Sequence, residues 1–423
     1  MKPEEAYACL ERAASRGSRL GLERVTQLSQ ILEQPQEKIP VIHIAGTNGK
    51  GSVSAMICAV LTAAGYKTGC FCSPALTDIR DSFMINGEVI SEETFCRVIE
   101  KVSSAAEQMS DKPTQFEIIA VSAYCCFFDS GCDIAVIECG MGGDLDATNI
   151  VSAPLLSVIT NAALDHTAFL GSTAEEIAFH KAGIIKKGRP VVFGGEDGET
   201  LRVIEKRAKA LDSPLRTTDR SALKVISQDT DKTVLEYKQS GELTVSLSGT
   251  YQAVNAATAL EALDILKEEG LDISQEMTAE GLLNVRHRGR FETLLTEPLT
   301  IFDGAHNPDG LREAVKSIKR YFDTPVIVLM GVMADKEYKL YPEMLKDCTY
   351  SLFAVRPDNA RALDPKILAD VFSEHGIPAA AYEDISQALN DAIALAKQKK
   401  LPLMIIGSLY MYKQIRELTD KKT

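Results

Sequence analysis

The run Val41-Ile42-His43-Ile44-Ala45, continued by Gly46-Thr47-Asn48-Gly49-Lys50-Gly51-Ser52, constrains this chain more than any other stretch. The β-branched segment after Pro40 reads as a buried strand, and a tight turn with three glycines follows it. Val53 to Ala64 is apolar throughout and reads as a helix. Strand, glycine turn and helix together make a phosphate cradle. Backbone N–H groups at the helix start point at an anion, glycines let the backbone approach it, and Lys50 adds a movable charge. The strict Walker spacing is not met, because Ile44 stands where its first glycine would be and Gly51 separates Lys50 from the Ser52 hydroxyl. An ordinary strand-to-helix turn has no need of a lysine there, so phosphate binding is the expectation.

Apolar runs and helical patterns alternate on both sides of this motif. Strands are expected at Val41–Ala45, Ile134–Ile137, Leu155–Thr160 and Val191–Phe193, with helices at Val53–Ala64, Phe116–Phe128, Ala174–Ile185 and Glu199–Leu211. Such alternation predicts an α/β fold with a mostly parallel sheet flanked by helices. Leu223–Leu247 alternates over short runs and is expected to be an antiparallel edge hairpin; Val254–Lys267 reads as a helix. A second cycle starts near Leu299. Strands at Leu299–Phe302, Val326–Met330, Tyr350–Val355 and Leu403–Ile406 alternate with helices near Gly310–Tyr321, Ile367–His375, Ile385–Lys399 and Tyr410–Leu418. That pattern predicts a smaller, Rossmann-like unit. The join is expected within Phe291–Pro298, giving domains 1–294 and 295–423.

A length of 423 residues is too great for one typical core, which agrees with two domains. The formal charge of −13 argues against broad binding to nucleic acid or anionic lipid. No apolar run reaches the roughly 18–20 residues that span a bilayer. Met1-Lys2-Pro3-Glu4-Glu5 lacks the apolar centre of a signal peptide. The ten cysteines form no CxxC pair and several sit in apolar runs, so they read as reduced, small buried residues. A cytoplasmic protein is expected.

Three segments bring chemistry to strand ends. Ile134 to Glu138 ends a strand on a carboxylate followed by Gly140, Gly142 and Gly143. At the carboxyl edge of a parallel sheet, beside a phosphate loop, such an acid suits a hard divalent cation. Asp144 to Asn149 supplies polar groups able to line a pocket, and Asp165-His166-Thr167 follows the next strand. In the second cycle, Asp303-Gly304-Ala305-His306-Asn307-Pro308 repeats the layout of strand, acidic end and turn.

Taken together, Gly46–Ser52, Leu145–Asn149, Leu164–Thr167, Lys181-Ala182-Gly183-Ile184 and Asp303–Pro308 resemble the folylpolyglutamate synthase family, which includes bifunctional dihydrofolate synthases and lies in the Mur ligase superfamily. The resemblance runs in order from about Gly17 to Tyr410. It implies an ATP-binding N-terminal domain, a Rossmann-like C-terminal glutamate ligase domain and an active site between them. It implies ATP-driven amide formation between a folate γ-carboxylate and L-glutamate, in a monomer whose partners are small molecules: a reduced folate, glutamate and ATP. By this likeness Gly46, Thr47, Asn48, Gly49, Lys50, Gly51 and Ser52 hold the nucleotide, together with Asn255, Arg290 and Asp303. Ser73, Glu138 and His166 match Mg²⁺ ligands, with room for a monovalent cation such as K⁺. Lys181 matches a carbamylated lysine. Phe116, Glu117, Asp146 and Lys181 fall on the acid-substrate side, and Lys50, His166, Lys181 and His306 are the catalytic candidates.

The chain departs from the family pattern at several positions: Ala75 and Asp81-Ser82 after Ser73-Pro74, Asp144 in place of a basic residue, His180 in place of a glutamate, Tyr251 in place of a histidine, and His287-Arg288 in place of Trp-Pro. Most lie where the folate end should bind, which leaves open whether dihydropteroate is a second acceptor. Two other readings stand beside the ligase. A P-loop ATPase or kinase would stop at phosphoryl transfer and would not need the Asp303–Pro308 turn. A superfamily ligase acting on another acid, such as a cell-wall precursor, would differ in substrate.

Overall fold

The computed structural model describes residues 1–196 and 198–422. Its largest sheet has strands β1 (Val41–Ala45), β2 (Thr68–Phe71), β3 (Phe83–Ile85), β4 (Glu88–Val89), β5 (Ile134–Glu138), β6 (Leu156–Ile159), β7 (Val191–Phe193) and β8 (Leu215–Thr217). Their order is β4-β3-β2-β5-β1-β6-β7-β8. Pairing is parallel from β2 to β8, and only β3 and β4 are antiparallel. β1 and β5 are buried on both faces, as an unbroken apolar run requires.

The register places Ile44 beside Glu138 and Ala45 beside Ile159. The segments that follow β1, β5 and β6 therefore leave neighbouring strand ends at one edge of the sheet. In open α/β sheets that carboxyl edge is where ligands bind.

Local signals explain the flanking helices. Gly49, at φ +85°, starts the helix Lys50–Ala63. A Thr114/Glu117 capping box starts the helix Gln115–Asp129. Gly281 lets the helix Gln275–Asn284 lie against Val60, since a Cβ there would meet the Val60 Cα at 2.5 Å. Helices Pro3–Ala14, Glu92–Ala106 and Gln115–Asp129 share a core with Phe71, Phe83 and Ile137.

The Leu223–Leu247 region corrects one expectation. Strands β9 (Leu223–Gln228), β10 (Thr233–Tyr237) and β11 (Glu242–Val245) form their own three-stranded sheet in the order β11-β10-β9, and none pairs at the edge of the large sheet. Alternation specifies one buried face but not the partner: β10 is mostly buried while β9 is mostly exposed.

The second large sheet contains β12 (Glu292–Thr296), β13 (Leu299–Asp303), β14 (Val326–Met330), β15 (Thr349–Ala354), β16 (Ala379–Ala381) and β17 (Leu403–Ile406), ordered β12-β13-β17-β14-β15-β16. All pairs are parallel except β12 with β13. Residues 291–298, read from sequence as a join, contain β12 itself. The helix Pro308–Tyr321 begins at Asn307, whose side chain accepts from the Gly310 N–H at 2.7 Å.

The chain divides into two compact units. The first comprises Met1–Leu223, Tyr237–Leu243 and Val254–Val285. The second comprises Lys224–Glu236, Thr244–Ala253 and Arg286–Thr423. No helix among the described residues is long and apolar enough to cross a membrane, and all ten cysteines are free thiols.

Candidate active site

In the first unit the glycine turn is held from behind by the segment after β6. The Asn161 side-chain oxygen accepts from the N–H groups of both Thr47 and Asn48, at 3.0 and 2.9 Å. The Thr160 hydroxyl donates to the Asn48 carbonyl at 2.6 Å, and Thr47 exchanges hydrogen bonds with the backbone of Ala163. Gly46 must be glycine, because a Cβ would lie 1.8 Å from the Thr160 hydroxyl oxygen. Gly49 is backed by Asn255, whose side-chain oxygen lies 2.5 Å from where a Cβ would project. Gly51 and Ser52 lie in the first turn of the helix, with Ser52 buried.

Lys50 curls over this turn. Its ammonium donates to the Gly46 carbonyl at 3.0 Å and stands 3.9 Å from Glu138 Oε1. Glu138 is only 4% exposed, so little water screens that pair. The Cys72 thiol is also against Glu138; contact with Cys70, burial and this carboxylate together push it well up. Ser73 follows it, joined to Pro74 by a cis peptide.

Lys181 is 2% exposed, although a lysine near a helix end ordinarily reaches water. Burial, and then repulsion from Lys50, lowers its pKa to about 7, against the pull of Cys139, Asp165 and Asp146. Asp146 is buried too. Its Oδ2 accepts from the Met141 N–H at 2.8 Å, and its Oδ1 accepts from the Thr148 N–H and hydroxyl at 3.0 and 2.5 Å. Burial raises its pKa while these donors oppose the rise.

The residue before Lys181 is tied to the turn after Glu138. Asp144 N–H donates to the His180 carbonyl at 2.9 Å, and His180 Nδ1 lies 2.9 Å from both Asp144 carboxylate oxygens. Two of the departures noted in the sequence, Asp144 and His180, therefore face each other. Asn149 donates to the backbone carbonyls of Asp144 and Gly183.

The remaining sequence candidates in this unit fall as follows. His166 is exposed, has a left-handed backbone at φ +50°, and precedes the short helix Thr167–Leu170. Phe116 packs on Gly140, where a Cβ would touch its ring at 2.4 Å. Glu117 is buried in its helix cap and paired with Arg24 at 3.0 Å.

In the second unit Asp303 ends β13 and is 2% exposed. Its oxygens accept from the Tyr251 hydroxyl at 2.6 Å, the Phe291 N–H at 3.0 Å and the Ala305 N–H at 2.8 Å. Burial raises its pKa, and the Arg290 guanidinium opposes this. Arg290 lies against Gly304, 2.9 Å from where a Cβ would project. His306 donates through Nδ1 to the Gly304 carbonyl at 2.8 Å.

Sequence comparison joins these two sites to known proteins. The Mur ligase middle domain matches residues 44–263, and the Mur ligase glutamate ligase domain matches 289–408. The folylpolyglutamate synthase of Lacticaseibacillus casei is 32% identical over 93% of each chain. The chain belongs to the folylpolyglutamate synthase family. The dihydrofolate synthase/folylpolyglutamate synthase of Bacillus subtilis is 33% identical over 95% of each chain. The structure of Mycobacterium tuberculosis folylpolyglutamate synthase complexed with ADP and AMPPCP superposes with a TM-score of 0.90 at 27% identity, over 99% of each chain.

No group of three or more His, Cys, Asp or Glu among the described residues could hold a metal by itself. Glu138, a buried carboxylate, is paired with Lys50 of the glycine turn. That fits Mg²⁺, which takes one or two protein carboxylates and completes its shell with phosphate oxygens and water.

The sequence passed over the residues that brace the site. His43 and Thr148 lie inside segments named from the sequence and Asn161 follows a strand, but their roles depend on partners distant in the chain.

Proposed function

We propose that the chain is an ATP-dependent ligase that joins L-glutamate to the γ-carboxylate of a reduced folate through an acyl phosphate. The observation that carries this reading is the Lys50–Glu138 pair, 3.9 Å apart at the sheet edge that also carries the glycine turn, with Lys181 buried where it feels the charges of Lys50 and Asp146. A kinase or ATPase needs the first two. It has no use for a buried lysine held near neutrality, or for a glutamate ligase domain.

The chemistry follows from what a carboxylate lacks. Its oxygen is a poor leaving group, so it must be activated before an amine can displace it. Phosphoryl transfer from ATP makes the acyl phosphate, and the amine of glutamate then attacks its carbonyl carbon and expels phosphate. In this scheme Gly46 to Ser52 cradle the phosphates with backbone N–H groups. Lys50 moves from the Gly46 carbonyl to the transferring phosphoryl group, and catalysis there is mostly positioning and electrostatics.

Glu138, Ser73 and His166 are the residues that would hold Mg²⁺, which when bound neutralises phosphate charge. Asn255, Arg290 and Asp303 belong to the nucleotide side of the scheme. His306 faces the phosphate or the incoming amine. Phe116, Glu117 and Asp146 lie on the acid side. Residues 1–294 would form the ATP-binding domain and 295–423 the glutamate ligase domain.

Lys181 is suited to carbamylation. With its pKa near 7, a large share of the amine is neutral at physiological pH and can add to CO₂, giving an anionic carbamate and releasing a proton. Free thiols throughout suit a reducing cytoplasm, and the working unit is taken as a monomer.

The test is a panel of dihydropteroate, dihydrofolate and tetrahydrofolate with ATP, Mg²⁺ and glutamate, read by ADP release and product mass. Glutamate-dependent ADP release with a product heavier by one glutamyl unit is expected. ADP release that ignores glutamate would sink the ligase reading. Product from dihydropteroate would add the dihydrofolate synthase activity.

A further inference from the structure

His43 sits in the middle of β1 with its side chain wholly buried. A polar ring at a strand-core position costs free energy unless it is partnered, and an apolar residue would fill the place more cheaply. Its Nε2 lies 2.8 Å from the Thr148 hydroxyl and 3.2 Å from the Cys139 thiol. Its Nδ1 has no hydrogen-bond partner among the described residues.

The proton positions follow from valence. Asp146 as a carboxylate only accepts, and it takes its hydrogen bonds from the Met141 N–H, the Thr148 N–H and the Thr148 hydroxyl. The single hydroxyl proton of Thr148 goes to Asp146 at 2.5 Å, a shorter contact and a stronger acceptor than the Cys139 sulfur at 3.5 Å. His43 must then donate from Nε2 to the Thr148 oxygen, which leaves Nδ1 as the bare nitrogen without a partner. Burial, with Lys186 adding to it, pushes the His43 pKa down to about 3, so the ring stays neutral. The chain of donors runs one way, from β1 to Thr148 to Asp146, which accepts from the Met141 amide as well.

Its two ends are the parts that must act together. His43 is three residues before Gly46, and its strand neighbour in β5 is Ile137, one residue before Glu138. Asp146 fastens the turn that leaves Glu138 and also stands near Lys181. We propose that His43 is a positioning residue for the ligase reaction: its Nε2–H orients Thr148, Thr148 orients Asp146, and Asp146 keeps the turn after Glu138 in register with the phosphate loop. This rests on the ligase reading above.

The test uses the full chain with His43→Leu, which removes the donor, and His43→Gln, whose amide can present an N–H toward Thr148. His43→Leu should lower kcat by about 10–100-fold, the usual cost of losing an outer partner that orients a site's ligands. KM for ATP should stay unchanged, because the loop amides that bind it are braced by Asn161 instead. His43→Gln should recover most of the loss. Independently of turnover, the imidazole ¹⁵N spectrum of the wild type near neutral pH should show the neutral, Nε2-protonated form. A His43→Leu enzyme with wild-type kcat, a His43→Gln enzyme as impaired as His43→Leu, or an Nδ1-protonated ring would each overturn the proposal. A wild type without glutamate-dependent turnover would instead remove the ligase reading, and this role with it.

Discussion

Glu138 and Asp303 share a sequence signature and have different surroundings. Each is a buried carboxylate that ends a parallel strand just before a glycine-containing turn. Asp303 accepts from Tyr251, Phe291 and Ala305, and these bonds fasten the turn that begins the second unit's site. Glu138 instead faces a long, movable cation, Lys50, at 3.9 Å, in a neighbourhood where a second lysine is also buried. The first arrangement spends a carboxylate on backbone geometry. The second keeps charges close together in a poorly screened place, the kind of setting the proposed phosphoryl transfer needs. A strand ending on an acid therefore does not by itself tell a fastening from a working electrostatic site.

Substitutions at the two acids should separate these roles. Lys50→Ala and Glu138→Ala should each lower kcat by at least about 10²–10³-fold, the loss typical of a deleted electrostatic contact to a developing charge. Their melting temperatures should stay near wild type. A Lys50→Ala enzyme at full ligase rate would remove phosphate positioning from the account.

Lys181→Met should give a smaller effect, visible in stability as a function of pH. The folded-state pKa, about 7, lies below the unfolded value near 10.4. Between those values the unfolded chain binds the extra proton, so the wild type gains stability as pH rises from about 7 toward 10, and the penalty is fully present below 7. Denaturant titrations across that window should show this slope in the wild type and its loss in Lys181→Met. Equal slopes would mean that the amine is not buried as a neutral group. An added mass of one CO₂ on the native enzyme would identify the carbamate.

Tyr251→Phe should be the mildest change. It removes one donor to Asp303 and leaves the two backbone amides, at a cost of about 1–3 kcal/mol in a urea titration. A loss of turnover as deep as that of Glu138→Ala would erase the distinction between the two acids.

Much of this was legible in the chain. Unbroken apolar runs at Val41–Ala45 and Ile134–Ile137 and helical spacing in the segments between them specify parallel strands with helices, because burial on both faces leaves no alternation to read. The Gly46–Ser52 run specifies a turn locally, since Gly49 opens the helix at φ +85°, a backbone conformation that favours glycine. The Leu223–Leu247 strands were legible as strands but not in their pairing, which is decided by which edge is free in three dimensions. Lys181 is recognisable as a motif residue, yet nothing in its neighbours along the chain says that it is buried.

The sequence by itself determined the elements, the phosphate loop and the acids at the strand ends, because each depends on residues within a few positions of one another. Only the tertiary structure decided that Asp144 meets His180, that Asn161 holds the loop amides, and that His43 reaches Thr148. Those contacts join residues 36 to 114 positions apart, brought within hydrogen-bond reach by strand order and burial, and no local pattern encodes them.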